Sequence, residues 1–178
     1  MENEQVSRGG LINNIDLEKI ARTKMKSKEG RGHFPVEKVI SGEFHFEGSP
    51  MFTAELKSDA ASFTEGVDEP SVLGGRGVYS TPLSHVLFGV ISCFASTVAL
   101  QCAARGIELR KLNVTGRLKY DIGPMLTDYT FPLINELEMD VETDRDVSEI
   151  VEASRAKCPA LYAIANGIQT TVKSSVKR

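Results

Sequence analysis

The sequence contains only three cysteines and three histidines, and this scarcity limits the chemistry open to the chain. An odd number of cysteines argues against a secreted scaffold held by disulfides, so we predict a cytoplasmic thiol protein. The histidines at 33, 45 and 85 are scattered, and no CxxC or HxxxH spacing supports a metal site. A zinc site built from Cys93, Cys158 and His85 would have to form without any such spacing.

Other absences restrict the partners and the compartment. The net charge of −3 gives no reason to expect nucleic acid. Residues 1–10 are polar and without the apolar core of a signal peptide, and we expect them to be disordered. The glycine-rich loop at 67–77 lacks the spacing and the Lys-Ser/Thr ending of a phosphate loop. We expect a polar N-terminal lead over residues 1–32 with a short amphipathic helix, followed by one domain over residues 33–178.

Charge is also missing from one long central stretch. No aspartate, glutamate, lysine or arginine lies between Thr81 and Arg105. Thr81 suits a helix cap, Pro82 suits the first helical position, and Gly106 is a usual stop, so one helix is predicted from Pro82 to Arg105. Its apolar residues occupy every face, which predicts burial all round. Polar residues interrupt the run, so a core helix is favoured over a membrane span.

The small residues of this helix predict how it packs. They recur at spacings of 3, 4, 3 and 4 and form one narrow stripe, consisting of Gly89, Ser92, Ser96, Ala99 and Ala103. Such a stripe lets another backbone approach closely, so a second helix is expected there. Because a sheet covers only one side of a helix, we predict a homodimer in which two long helices pack along their stripes.

Alternating apolar and polar residues predict strands on both sides of the helix. A hairpin with one wet face is expected at 40–46 and 52–56, with His45 on the wet face and a third strand at 62–64. Beyond the helix, a basic row at 112–120 opposes an acidic row at 136–142. A helix from Asp146, a short helix after Pro159 and a last strand at 168–172 follow. The predicted class is α+β with a mostly antiparallel sheet around a long buried central helix.

Two of the cysteines lie on the predicted long helix and cannot pair with each other. Cys93 and Cys102 are nine residues apart, which places them on opposite faces and about 13 Å apart along the axis. Cys102 is therefore interpreted as a packing residue. Cys158 precedes Pro159 at a predicted helix start, where the helix N-terminus and Lys157 both favour thiolate over thiol.

Several short motifs, taken in order, resemble the OsmC/Ohr family of thiol-dependent hydroperoxide reductases. The resemblance covers most of the chain, and the N-terminal helix with its Asp-Glu-Pro loop is similar to an OsmC-like subgroup. The motifs are Asp68-Glu69-Pro70 with Leu73-Gly74-Gly75, Thr81-Pro82-Leu83, Ser92-Cys93-Phe94, Arg105-Gly106-Ile107 and Cys158-Pro159.

The resemblance implies an intertwined homodimer with two sites, each at a junction of the subunits. Cys93 would be the peroxidatic thiol and Cys158 the resolving thiol, with no bound cofactor. An external dithiol, of lipoyl type in the family, would restore both thiols. The apolar wall around Cys93, formed by Val86, Val90 and Phe94, would suit an organic hydroperoxide, and no membrane partner is expected.

The sequence departs from the family pattern at two places. The acidic residue that commonly follows the helix-starting proline is replaced by Leu83, Ser84 and His85, and no arginine lies in the first hairpin. Arg76 and Glu69 are possible substitutes, while His85 would have to act across the dimer. The departures leave two alternatives open, namely an OsmC-like binding or stress-related protein with little peroxidase activity, and a purely structural thiol pair.

Overall fold

The computed structural model of the protein describes residues 10–176, which divide into two compact units. One unit contains residues up to Leu17 and those from Val90 onward, and the other contains Glu18–Gly89. The predicted disorder of residues 1–10 falls, except at Gly10, outside the described residues. The predicted boundary after residue 32 stays a prediction.

The unit Glu18–Gly89 is built on a three-stranded antiparallel sheet. A small hairpin of β1 (Leu11–Ile12) and β2 (Ile15–Asp16), which belongs to the other unit, precedes α1 (Leu17–Glu29), the short helix predicted for the lead. The sheet follows, in the order β3 (Gly42–Phe44), β4 (Phe52–Lys57) and β5 (Ser62–Val67). The predicted hairpin and third strand are confirmed, although β3 is shorter than the alternation indicated.

The other unit contains the second predicted strand pair, β6 (Leu112–Tyr120) and β7 (Ile134–Thr143), which are antiparallel. The basic and acidic rows face each other as predicted, with Lys119 bound to both Glu136 and Glu138 and Arg117 bound to Asp140. A four-residue helix, α3 (Gly123–Leu126), lies in the connection. The charge pairs lie on the exposed face of this ribbon, where they contribute little to stability.

Two helices complete this unit, and both begin near the predicted places. α4 (Ser148–Arg155) starts two residues after Asp146, whose Oδ1 accepts hydrogen bonds from the Ser148 amide and hydroxyl. α5 (Pro159–Asn166) begins directly after Cys158. The strand predicted at 168–172 is wrong, since no strand follows α5 within the described residues. Alternation specifies two faces, but a strand also needs a neighbouring strand for its backbone hydrogen bonds.

The long helix, α2 (Pro82–Ala103), forms as predicted but is not buried all round. Thr81 caps it, accepting a hydrogen bond from the Ser84 amide at 3.2 Å. Its buried residues lie from Val90 onward, whereas Phe88 is 66% exposed. By length and composition alone α2 is able to cross a membrane. Its later part instead packs in a core with α4 and α5, formed by Phe94, Val98, Cys102, Val147, Ile150 and Cys158.

The class is α+β with antiparallel strand pairing, as predicted, but the strands of residues 10–176 do not form a single sheet. The strands form three separate antiparallel sheets of two, three and two strands. Local alternation predicts which segments are extended, and it does not predict which hairpins join edge to edge. The core that matters for the cysteines is the one between α2, α4 and α5.

Candidate functional site

The two cysteines predicted to react lie in the same core. Cys93 is on the middle of α2 and partly buried, while Cys158 is fully buried directly before α5. Pro159 has no amide hydrogen and fits the first helical position, so α5 starts there and Cys158 becomes its N-cap. The Leu161 amide donates to the Cys158 sulfur at 3.4 Å, which satisfies one of the free amides of the first turn.

The structure brings these two thiols together. The Cys158 thiol is within hydrogen-bonding reach of the Cys93 thiol, and the Ala160 amide donates to the Cys93 sulfur. Both sulfurs therefore accept an amide hydrogen from the first turn of α5. All three cysteines are free in this structure. Two adjacent free thiols are the arrangement from which a disulfide forms when one of them is oxidised.

The surroundings of Cys93 oppose its ionisation. Burial raises the pKa of Cys93, the Ala160 amide lowers it, and the neighbouring Cys158 raises it, so that the net pKa lies above that of an ordinary thiol. The Lys157 ammonium, which was predicted to favour the thiolate of Cys158 and not that of Cys93, donates to the Gln101 side chain at 2.9 Å. Cys93 is consequently protonated at neutral pH, and its reactive thiolate is a minor species there.

Cys102 behaves as the packing residue that the helical arithmetic predicted. It is fully buried in the core with Phe94 and Val98. Burial raises its pKa, and the charge of Arg105 opposes that effect without cancelling it. A buried, protonated thiol reacts slowly, which agrees with the interpretation of Cys102 as a packing residue.

The three possible supporting residues lie in the unit Glu18–Gly89. His85 Nδ1 is 3.2 Å from the carbonyl oxygen of Thr81 and 3.3 Å from Ser80 Oγ. His85 Nε2 is 3.9 Å from Glu65 Oε2. Glu69 accepts a hydrogen bond from the Gly77 amide through its carbonyl oxygen. These contacts hold the turn before α2 together.

A cavity of about 1030 Å³ lies against the sheet of this unit. One face of β4 and β5 and the first turns of α2 line it with mostly apolar side chains, including Phe52 and Phe88. Glu69 and His85 line it as well, whereas Arg76 lines a smaller cavity of about 590 Å³ together with Glu47. His45, predicted at the surface, is half-buried and hydrogen-bonded to Thr53 at 2.9 Å.

The sequence interpretation missed the role of Asp68, because it took Glu69 as the acidic residue of interest in the Asp-Glu-Pro motif. Asp68 is fully buried and accepts hydrogen bonds from the Ser49 hydroxyl and the Met51 amide, each at 2.8 Å. The amides of Val78 and Tyr79 donate to it as well. Burial by itself would raise the pKa of Asp68, but these donors outweigh it and the pKa is lowered. Asp68 thus connects the end of β5 by hydrogen bonds to two loops, one at residues 49–51 and the other at residues 78–79.

Comparison with known proteins identifies the family. The family model described as OsmC-like protein matches residues 75–173, which is more than half of the chain. No curated protein matches the sequence. The fold is similar to that of an organic hydroperoxide resistance protein OsmC from Legionella pneumophila, with a TM-score of 0.53 and 16% identity over 74% of this chain and 93% of that one.

Two further solved structures agree with this match. An OsmC-like protein from Mycoplasma pneumoniae has a TM-score of 0.54 and 21% identity, covering 75% of this chain and 91% of that one. A Vibrio cholerae organic hydroperoxide resistance protein, with captopril bound in one of its active sites, has a TM-score of 0.51 and 12% identity over 75% of this chain and 88% of that one. At these identities the likeness concerns the fold. Together with the family match, it shows that the chain belongs to the OsmC-like protein family.

Proposed function

We propose that this protein is a thiol-dependent peroxidase that reduces organic hydroperoxides through Cys93 and Cys158. The observation that carries the proposal is the contact of two free thiols at the first turn of α5. Membership of the OsmC-like family and the hydroperoxide resistance of its structural relatives, as their names state it, support a role in peroxide stress. The proposal places the protein among the cytoplasmic thiol enzymes.

The difference in exposure between the two cysteines supports the roles that we propose for them. Cys93 is partly exposed and Cys158 is fully buried, so an incoming hydroperoxide reaches Cys93 first. The Cys93 thiolate attacks the terminal oxygen of the hydroperoxide. The O–O bond breaks, the alkoxide takes up a proton and leaves as an alcohol, and Cys93 becomes a sulfenic acid. The Cys158 sulfur then attacks the Cys93 sulfur, and water leaves as the disulfide forms.

Turnover needs an external reductant, and we propose a dithiol of the lipoyl type. Thiol–disulfide exchange with one reductant thiol opens the Cys93–Cys158 bond, and the second reductant thiol closes a cyclic disulfide on the carrier. Two electrons pass from the dithiol to the protein in each cycle. The chemistry is complete without a bound cofactor.

A homodimer is part of the same proposal. Ser96, at the centre of the small-residue stripe, is exposed, and so are Val86 and Phe88 earlier on α2. Apolar helix surface of this kind is uncommon on a monomer and is typical of an interface. A second copy packed along the exposed part of the stripe, which ends before Ala103 because that residue is buried within the chain itself, would cover this surface with its own α2.

The decisive test is a thiol balance after oxidation. One equivalent of cumene hydroperoxide is expected to consume two thiols per chain and to yield a 93–158 disulfide in a peptide map, with Cys102 still reduced. Cys93→Ser is expected to abolish consumption. Cys158→Ser is expected to leave a sulfenic acid on Cys93 that dimedone captures. A Cys93→Ser protein that consumes peroxide at the parent rate would contradict the assignment.

One observation favours a second function, that of a binding or stress-related protein with little peroxidase activity. The pKa of Cys93 is raised, and among the described residues the groups that shift it are an amide of α5 and the other thiol, neither of which is an arginine. A low-activity thiol would react with cumene hydroperoxide only slowly even in the presence of dihydrolipoamide. Turnover no faster than that of free cysteine would therefore favour this second function.

A further inference from the structure

Positive charge is concentrated in and directly after the first helix of the chain. Residues 18–38 contain seven lysines and arginines against three glutamates, whereas the whole chain contains 21 basic and 24 acidic residues. The remaining residues therefore carry 14 basic against 21 acidic side chains, a net charge of −7. Such a separation of charge is typical of a surface that meets a partner of opposite charge.

The helix α1 presents most of this positive charge to solvent. Lys19, Arg22 and Lys26 are spaced three and four apart, so they share one face of the helix, and all three are exposed. Leu17 and Ile20 are half-buried, and no residue of α1 is fully buried. At 1.5 Å per residue, its 13 residues form a basic rod of about 20 Å.

The cations of α1 lack the acidic partners that other basic residues of the chain have. Across β6 and β7, Lys111, Arg117 and Lys119 each bind a carboxylate. Within the described part of the chain, in contrast, Arg22 and Lys26 form no ion pair. The helix dipole favours a cation in the last turn, such as Lys26, but it gives no such reason for Arg22. The charge of α1 is therefore available to a partner.

We propose that α1 is the docking surface for an acidic protein that carries the reducing dithiol. The inference rests on the proposed peroxidase function, which needs two co-reactants. An organic hydroperoxide such as cumene hydroperoxide is uncharged and gains nothing from a basic surface, so the surface fits the reductant. An acidic carrier is attracted by α1 and repelled by the rest of the chain, which speeds and orients its association. The proposed homodimer does not need this surface, because its stripe of small residues lies on α2.

The test compares a free dithiol with the same dithiol on an acidic protein. The full-length protein turns over cumene hydroperoxide with free dihydrolipoamide or with an isolated lipoyl domain of negative net charge in its dithiol form. A third reductant is this domain with its exposed carboxylates replaced by amides. The acidic domain is expected to have a higher kcat/KM than the neutralised domain. Added salt is expected to lower the kcat/KM of the acidic domain and to leave that of dihydrolipoamide unchanged.

Matched variants at exposed positions locate the docking surface. Arg22→Gln with Lys26→Gln is expected to lower kcat/KM for the acidic domain about three- to tenfold, the range for two exposed charge contacts, without changing kcat. The rate with dihydrolipoamide is expected to stay the same. Glu29→Gln makes α1 more positive and is expected to raise kcat/KM for the acidic domain. The control, Lys57→Gln with Lys173→Gln, removes the same charge outside α1 and is expected to have a far smaller effect.

An equal loss in the α1 variant and the control would overturn the proposal, and so would the same loss with dihydrolipoamide. If no reductant supports turnover, the peroxidase function is wrong, and the docking is then tested by fluorescence anisotropy of the labelled acidic domain. No binding, or equal binding by the parent and the α1 variant, would overturn the docking.

Two other results would assign the surface to a different partner and so overturn the proposal. Dissociation of the homodimer by the α1 variant would show that a second copy of the chain covers α1. Tighter binding of phosphatidylserine vesicles than of the acidic domain would show that α1 meets a lipid surface.

Discussion

At the scale of single residues, the chemistry of the proposed site depends on two backbone amides. The amides of Ala160 and Leu161 belong to the first turn of α5, where helix amides have no partner within the helix. They donate to Cys93 and Cys158 respectively. Among the groups of the described chain that shift the pKa of Cys93, the Ala160 amide is the one that lowers it and so favours the thiolate.

Backbone ester substitution tests this role without changing any side chain. Cys158 is suited to ligation of residues 1–157 with a synthetic peptide of residues 158–178, in which lactic acid replaces Ala160. Loss of the amide donor is expected to slow alkylation of Cys93 about tenfold at neutral pH, since hydrogen bonds to charged groups contribute roughly 1.5–3 kcal/mol. The measurement is iodoacetamide labelling followed by peptide mass spectrometry.

The matched control is the corresponding hydroxy acid at Leu161, which removes the donor to Cys158 instead. It is expected to change Cys93 labelling far less than the ester at 160 does. Equal rates for both esters and the parent would contradict the role of the Ala160 amide. Neither ester removes a hydrogen bond within α5, so both proteins are expected to fold.

The raised pKa of Cys93 also predicts a pH dependence. The thiolate is the nucleophile, and a raised pKa means that less thiolate is present at any given pH. The rate of Cys93 oxidation by cumene hydroperoxide is therefore expected to rise about tenfold per pH unit through neutrality and to keep rising beyond the usual thiol pKa of about 8.5. Stopped-flow single-turnover rates between pH 6 and 9.5 measure it. A plateau below pH 7 would show a lowered pKa and contradict the prediction.

At the scale of elements, the Asn13 side chain connects the first hairpin to the end of α2 through hydrogen bonds. Its Nδ2 donates to the carbonyl oxygens of Ala99 and Ile107, and its Oδ1 accepts from the Leu109 amide at 2.8 Å. The turn between β1 and β2 requires positive φ at Asn13 and Asn14, 53° and 63°. Asparagine is one of the few residues that adopt this conformation readily.

Glycine substitutions separate the contribution of the Asn13 hydrogen bonds from that of the turn conformation. Asn13→Gly keeps a residue that tolerates positive φ and removes three hydrogen bonds, so it is expected to lower the free energy of unfolding by about 1–3 kcal/mol. Asn14→Gly changes the turn in the same way without removing these bonds and is expected to have an effect of less than about 1 kcal/mol. Urea unfolding followed by circular dichroism compares them. An equal decrease in the free energy of unfolding in the two variants would contradict this role of the Asn13 hydrogen bonds.

At the scale of the whole molecule, the proposed homodimer predicts a different kind of sensitivity. Ser96→Leu is expected to force the two stripes apart and to cost about 1–3 kcal/mol per site, because overpacked interfaces relax poorly. Light scattering at low micromolar protein is expected to show a dimer for the parent chain and dissociation for the variant. Ala104→Leu, at an exposed position just beyond α2, is the control. A folded monomer of the parent chain would contradict the dimer.

Most of the local structure could be predicted from the sequence alone. Alternation located β3 to β7, and the Thr81-Pro82 and Cys158-Pro159 pairs located the starts of α2 and α5. These signals depend on neighbouring residues and on the backbone restrictions of proline, which act before any tertiary contact forms. Helical spacing likewise predicted that Cys102 and Cys93 lie on opposite faces of the long helix. The ordered motifs carried the family resemblance, which the family match confirmed.

The contacts between these elements, in contrast, became known only from the three-dimensional structure. The contact of Cys93 with Cys158 and the four donors around Asp68 join residues that lie far apart in sequence. The exposure of Phe88 depends on which other part of the protein covers that surface. The predicted strand at 168–172 was wrong for the same reason. Periodicity specifies which face of an element is apolar, whereas pairing and burial depend on which other surface is close enough to cover that face.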